Sequence, residues 1–487
     1  MDSSTFEYAL RLPNSLFKTN REKFFAAFKQ KVTEHEKALI VFKGKDDLPV
    51  DDTDIDYSVR QESFFYYLFG VQETGCSAAI DITEEKVILF YPRFDEIYKL
   101  WMKVLSLEDV QELYPDFEVH FVDEMEEYVK DFSPSQIFIN KGVNSDSGAE
   151  TILPKFKWLE EHKVETELLH PILSECRVTK NPEEITILEI ANKISSEAHC
   201  WTMKHCKPGV RESYLESKFK AYCMENYNCK IVPYVSICAC GPNPSTLHYV
   251  VNSDILPDNT MCLIDMGHQV HCYGADITCC YPTNGKFTEK QAAIHNLVVK
   301  ANRTVQNIMK PGVNWRDMHL LAEKITLEGL KELGIIKEDV DIEEALNERV
   351  GFVFQPHGLG HLIGLDTHDV GGYLPNTPTR STKWGLKNLR TARDLEENMV
   401  ITVEPGCYFI PSLIQERAVD LGIDIDKYVN LDLALEYRKE VAGVRIEDCV
   451  LITEDGVKNL TQVPRTIEQI EACMRGDDWT ELPDFEI

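Results

Sequence analysis

The stretch MCLIDMGHQVHCYGADITCCYP, residues 261–282, decides how the chain is read. Both ends are apolar and β-like, glycine and histidine mark the middle, and Asp265 and Asp276 lie inside the apolar arms. Read as a hairpin centred between Val270 and His271, it sets Asp265 directly opposite Asp276. Opposed residues point to the same face. Two like charges that close repel, so the sequence must either protonate one acid or bind a cation between them. A single strand acid is ordinarily a solvated residue or a partner for an arginine such as Arg445. Two more acids make that reading insufficient: Glu404 in ITVEPG and Glu447 in VRIED also interrupt apolar, strand-like runs.

The two acid pairs fall in two similar halves. Lys-Pro-Gly-Val occurs at 207–210 and again at 310–313, each time between amphipathic stretches. The helix before the second copy opens on a capping box, Thr288 with Gln291. Its stripe of Ile294, Leu297, Val298, Ala301, Val305 and Ile308 is expected to be core. A duplicated half-domain follows, with equivalent positions facing one cleft.

Between the acids lies FQPHGLGHLIGLDTHDVGGY, residues 354–373. His357 and His361 are four apart, as on a zinc-protease helix. The intervening Gly-Leu-Gly disfavours a helix and lacks the catalytic glutamate. The stretch is expected to be a glycine-bent loop and strand at the cleft edge. Four carboxylates with few imidazoles make a hard, oxygen-rich site suited to Mn²⁺. Four acids exceed the needs of one ion, so two bridged ions are expected. The chemistry implied is metal-assisted hydrolysis of an amide or a phosphate ester.

The remaining sequence bounds this reading. At 487 residues the chain is too long for one ordinary core, which suggests two domains. Residues 78–92 read as two strands around a turn, 117–132 as a strand then a helix, and 135–142 as another strand. This is a small α/β unit. TKNPEEITILEI then signals a long helix, with Asn181 as cap, Pro182 at its first position and Glu184 completing a capping-box-like pattern. The net charge of −30 argues against nucleic acid as main partner. The N-terminus lacks a secretory h-region, and no run reaches the roughly 18 apolar residues of a membrane helix. Fifteen cysteines in that context read as reduced, packed thiols, and the expected location is cytoplasmic. His268 and His271 are read as packing or solvent residues.

The segments RQESFFYYLFGV, GVNSDSG, NKISSEAH, DMG…DITC, PHGLGH, HDVGGY, LRTAR, TVEPG and GVRIED together resemble the pita-bread metallopeptidases. That family includes methionine aminopeptidase, aminopeptidase P and prolidase, and the match to the prolidase branch is close over nearly the whole chain. The resemblance implies an α/β (α+β) fold. Residues 1–180 would form a small N-terminal α/β domain serving dimerisation and active-site capping. Residues 181–487 would form a catalytic pita-bread domain with a pseudo-twofold internal repeat. It implies two divalent ions per subunit, most simply Mn²⁺. Asp265 and Asp276 would hold the first, His361 and Glu404 the second, with Asp276 and Glu447 bridging.

His248 and His368 would contact substrate and the tetrahedral intermediate, and Glu404 would also be catalytic. Arg390, the first arginine of LRTAR, would grip a C-terminal carboxylate with its bidentate fork. His357, Arg445 and Thr278 would support these groups from behind. The implied reaction is hydrolysis of Xaa-Pro and Xaa-hydroxyproline dipeptides by a hydroxide held between the ions. The implied partners are small dipeptide substrates and a second copy of the chain in a homodimer, with no nucleic acid and no membrane. Trp101 in YKLWMKV falls in a segment that could reach the second copy's site; the alternative is a core tryptophan of its own domain. Two other functions fit the same pattern: an aminopeptidase P-like exopeptidase acting on longer peptides, and an inactive pita-bread binding module. The second would need lost ligands, whereas all five positions are filled.

Overall fold

The computed structural model describes residues 12–33, 36–416 and 420–486, so most of the N-terminal stretch that bears on a secretory leader lies outside the described residues. The chain divides into two compact units, one spanning Leu12–Asn181 and the other Pro182–Ile487. No helix among the described residues is long and apolar enough to cross a membrane.

The first unit is built on a six-stranded sheet. Its strands are β1 (Ala38–Lys43), β2 (Ser77–Asp81), β3 (Lys86–Tyr91), β4 (Glu118–Phe121), β5 (Gln136–Ile139) and β6 (Val164–Glu165), in the order β4-β3-β2-β1-β5-β6. β1, β2 and β3 pair antiparallel, while the outer pairings are parallel. Leu39, Val41, Ala79, Ile88 and Phe90 form one buried face with Met125 and Val129 of the helix Met125–Phe132. Leu100 and Trp101 stand out from this unit, 74% and 81% exposed, so Trp101 is not a residue of its own core.

The second unit repeats itself in backbone detail. Gly209 and Gly312 have φ of 87° and 86°, the left-handed value that a turn with Pro before Gly requires. Each glycine N–H donates to a leucine carbonyl, Leu256 (3.0 Å) and Leu395 (2.8 Å). Each of those leucines donates back to the motif's valine, Val210 or Val313, at 2.8 Å. Five residues after each leucine a central strand begins, at Met261 and at Val400. Asp265 and Glu404 are thus equivalent positions, each nine residues past its leucine.

Each half contributes a helix pair and a small sheet. The pairs are α1 (Pro182–His205) with α2 (Glu212–Tyr227), and α3 (Glu289–Ile308) with α4 (Trp315–Glu332). β7 (Ile237–Cys240), β8 (Met261–Asp265) and β11 (Thr278–Pro282) form the first sheet, and the short hairpin β9 (Gln269–Val270) and β10 (Tyr273–Gly274) between β8 and β11 is a separate two-stranded sheet. The second half has β12 (Val400–Val403), β13 (Gly406–Tyr408), β14 (Gly443–Arg445), β15 (Asp448–Ile452) and β16 (Val457–Asn459). The capping box of α3 forms between Thr288 and Gln291. Its apolar stripe is buried from Ile294 through Val305, but Ile308, in the last turn, is 43% exposed. The stripe therefore outruns the surface that covers it by one turn.

Candidate metal centre

The hairpin of residues 261–282 forms, displaced from the expected register. Gln269 pairs with Gly274 and Val270 with Tyr273, so the turn is centred between His271 and Cys272. His271 takes φ 54°, and His268 is buried. Asp265 therefore pairs with Thr278 rather than with Asp276. The displacement moves the partner by two residues, which preserves the face. Asp276 falls opposite Gly267, where a Cβ would stand 1.8 Å from the Ala275 carbonyl oxygen. Only glycine leaves the strands close enough there for both aspartates to converge.

In the second half, Val403 pairs with Asp448 and Gly406 with Arg445. The same register brings Glu404 level with Glu447. The two halves meet where Thr278 and Glu447 form a β-bridge, the Glu447 N–H donating to the Thr278 carbonyl at 3.2 Å. Thr278 Oγ1 also donates to Glu447 Oε2 at 2.7 Å.

His361 comes from an extended segment, not a helix. It exchanges backbone hydrogen bonds with β12: Thr402 N to His361 O at 2.9 Å and Ile363 N to Val400 O at 3.0 Å. Its imidazole Nε2 lies 3.4 Å from Asp276 Oδ2, 3.5 Å from Glu404 Oε1 and 3.9 Å from Glu447 Oε1. Three overlapping groups have ligand atoms within 4.8 Å of one another: Asp265/Asp276/Glu447, His361/Glu404/Glu447 and Asp276/His361/His368. All five expected ligand positions thus converge. His368, expected to contact substrate and the tetrahedral intermediate rather than a metal, joins them with its ring 4.4 Å from that of His361.

The electrostatics suit a cation. Burial pushes Asp276, Glu404 and Glu447 well above the usual carboxylate range, and repulsion adds to it, from Asp265 on Asp276, from Glu447 on Glu404 and from Asp276 on Glu447. Asp276 Oδ1 is buried with no hydrogen-bond partner. A buried acceptor without a donor is costly unless a cation satisfies it. Burial also lowers His361 to about 4, with the charge of Arg390 adding to it, so the imidazole is a neutral donor at pH 7. Carboxylate oxygens with one neutral nitrogen fit a hard divalent ion.

The outer groups are arranged around these. Arg445 Nη2 donates to Asp265 Oδ2 (2.6 Å), its Nε to Thr278 Oγ1 (3.1 Å) and its Nη1 to the Tyr408 hydroxyl (2.9 Å). His357 Nε2 lies 2.8 Å from the Tyr408 hydroxyl, and its Nδ1 lies 3.6 Å from Glu404 Oε2. His248 and His368 are exposed, and Arg390 is half-buried. The main chain at Arg390 is fixed by Tyr373 and Arg380, which donate to the Leu389 carbonyl at 3.0 and 2.6 Å. Sequence reasoning missed two tyrosines: Tyr408, and Tyr234, which donates to Asp265 Oδ1 at 2.8 Å. Neither Tyr408, in TVEPGCYF, nor Tyr234, in IVPYVSI, carried a signal in the sequence.

Thr278→Val should test this support. It removes the hydroxyl between Arg445 and Glu447 while keeping shape. Mn²⁺ affinity, read by equilibrium dialysis, is expected to fall about 10–100-fold with circular dichroism unchanged. An unchanged affinity would mean that the hydroxyl does not orient Glu447.

Comparison with known proteins agrees with this geometry. Residues 186–454 match the model of metallopeptidase family M24, and residues 17–138 match the aminopeptidase P N-terminal domain. The chain is 41% identical to the Xaa-Pro dipeptidase of Mus musculus, over 97% of this chain and 96% of that one. It is also 41% identical to the Homo sapiens Xaa-Pro dipeptidase, over 96% and 95%. Among solved structures it resembles the Pseudomonas aeruginosa aminopeptidase PepP, with a TM-score of 0.79, 26% identity, and coverage of 96% of this chain and 99% of that one. Two converging acid pairs in a duplicated unit, preceded by this N-terminal α/β unit, place the chain in metallopeptidase family M24.

Proposed function

We propose that this protein is an Xaa-Pro dipeptidase that binds two divalent ions, manganese being the best fit to its donors. The observation that carries the reading is the full-length 41% identity to mammalian Xaa-Pro dipeptidases, combined with all five ligand side chains in one cluster. Asp265 and Asp276 would hold one ion, His361 and Glu404 the other, and Asp276 and Glu447 would bridge. When bound, the ions polarise the scissile carbonyl and acidify water at neutral pH.

The chain's own groups do the rest. Arg390 receives the dipeptide's C-terminal carboxylate. His248 and His368 hydrogen-bond the substrate and the oxygen that gains charge during attack. Glu404, through Oε2, passes a proton from water toward the departing proline nitrogen. His357, held by its Nδ1 against the Gly358 carbonyl at 2.7 Å, orients Tyr408 beside Glu404, while Arg445 and Thr278 orient Asp265 and Glu447. Trp101 fits a role in capping the site of a second subunit in a homodimer, and we place the enzyme in the cytoplasm.

A second reading has a specific observation behind it, the likeness to aminopeptidase P structures. Hydrolysis of Gly-Pro against a Gly-Pro-Xaa tripeptide, with Mn²⁺ and after chelation, separates the two. A dipeptidase cleaves Gly-Pro, loses that activity on chelation, and leaves the tripeptide almost untouched. Preferential tripeptide cleavage would favour the aminopeptidase. No cleavage of either would reject both readings.

A further inference from the structure

Most cysteines of this chain are buried thiols that act as ordinary packing, and among these buried thiols one pair faces each other across two strands. Cys240 on β7 and Cys262 on β8 are direct register partners. Their sulfurs are 2.8 Å apart, inside van der Waals contact. Opposed antiparallel residues have Cα atoms about 4.5–5.5 Å apart, within the range of about 4.4–6.8 Å that a disulfide spans. Closing to a bond of about 2.05 Å needs the sulfurs to move by about 0.8 Å, with no change of strand register. A third thiol, Cys206, is farther off, 3.9 Å from Cys262 Sγ.

Cys262 is fully buried and Cys240 is 2% exposed, so any approach is through Cys240 alone. Cys240 forms part of the wall of an open cleft of about 360 Å³, with Arg211, Pro242, Asp254, Ile255 and Pro257. Arg211 is anchored by donating to the Ser253 carbonyl at 2.8 Å, which fixes a guanidinium at the cleft. Such a charge suits a carboxylate-bearing peptide disulfide, and the cleft gives room for the adduct that exchange requires.

We propose that Cys240 and Cys262 form a reversible dithiol–disulfide site that exchanges with low-molecular-weight peptide disulfides entering at Cys240. In the first step the Cys240 thiol loses its proton and attacks one sulfur of the disulfide RSSR. A mixed disulfide, Cys240–S–SR, forms and RSH leaves. Cys262 then loses its proton and attacks Cys240 Sγ, and the second RSH leaves. Two protein thiols are oxidised to one disulfide, and RSSR is reduced to two thiols. Burial raises Cys240 to about 12 and holds Cys262 well above the ordinary thiol range. The exchange is therefore slow near pH 7 and accelerates as pH rises.

The test treats the full-length protein with oxidised glutathione at alkaline pH, followed by acid quench, denaturation, alkylation and mass mapping of chymotryptic peptides. The expected result is a Cys240–Cys262 cross-linked peptide forming at least about tenfold faster than Cys223 or Cys229 loses its thiol, and disappearing with dithiothreitol. In Cys262→Ser the reaction should stop at a glutathione adduct on Cys240. Absence of the 240–262 cross-link in the wild-type protein, or a Cys206–Cys262 cross-link in its place, overturns the proposal. The wild-type mapping decides the matter even if the variant fails to fold. None of these readouts depends on peptidase activity.

Discussion

Asp276→Asn is expected to abolish peptidase activity while leaving the fold intact. Asp276 belongs to two of the three ligand groups, beside Asp265 and Glu447 in one and beside His361 and His368 in the other. Its Oδ1 is buried without a partner, and its Oδ2 faces His361 at 3.4 Å. The amide keeps the shape but removes a bridging charge and puts N–H donors where a cation should sit. The loss in kcat/KM should exceed the roughly 10–100-fold seen when only an outer partner of a metal ligand is removed. Metal content, measured by mass spectrometry, should drop as well. The fold should hold, because burial and the repulsion of Asp265 already disfavour the charged form of Asp276 without an ion. Near-wild-type turnover would remove Asp276 from the bridging role.

The second large effect is expected at Arg390, and it should depend on substrate length. If the guanidinium receives the dipeptide's terminal carboxylate, Arg390→Ala leaves that charge unpaired in the cleft. Losing one partner of such a pair costs about 2–5 kcal/mol, or roughly 30-fold to several thousandfold in kcat/KM for Gly-Pro. The loss should be far smaller for Gly-Pro amide, which has no carboxylate to be gripped. Mn²⁺ content should stay near wild type. Equal losses on the two substrates would defeat the carboxylate argument. The main chain around Arg390 is held in place from two sides. Tyr373 and Arg380 both donate to the carbonyl of the preceding residue, and a Cβ on Gly372 would stand 1.9 Å from the Arg390 carbonyl oxygen.

The ligands were legible because acids inside apolar strand sequence are expensive and therefore conspicuous. Four of them in two halves with matching Lys-Pro-Gly-Val turns pointed to one cleft, and the backbone repeats that match hydrogen bond for hydrogen bond. The hairpin register was not legible. Its turn uses His271 at φ 54°, a conformation that glycine or asparagine usually announces. The inference about the aspartates survived because the error was even, and an odd slip would have sent Asp276 to the other face. Tyr234 and Tyr408 escaped notice for a different reason. In sequence an aromatic ring among apolar residues reads as packing, and the hydroxyl's partner is set by tertiary structure alone. Ile308 shows the converse, since periodicity marks a face without saying how far the neighbouring surface extends.

The bridge between Thr278 and Glu447 has one more consequence. Each half carries only two of the four acids, so the full repulsion exists only where the two halves meet. The electrostatic load arrives when the halves dock, and the Arg445–Asp265 pair across the seam offsets a single charge of it. A divalent ion binding there acts as a latch on the docked state. By mass action the stability of the whole second unit should then track the free ion concentration, so that chelation loosens the protein as well as silencing it.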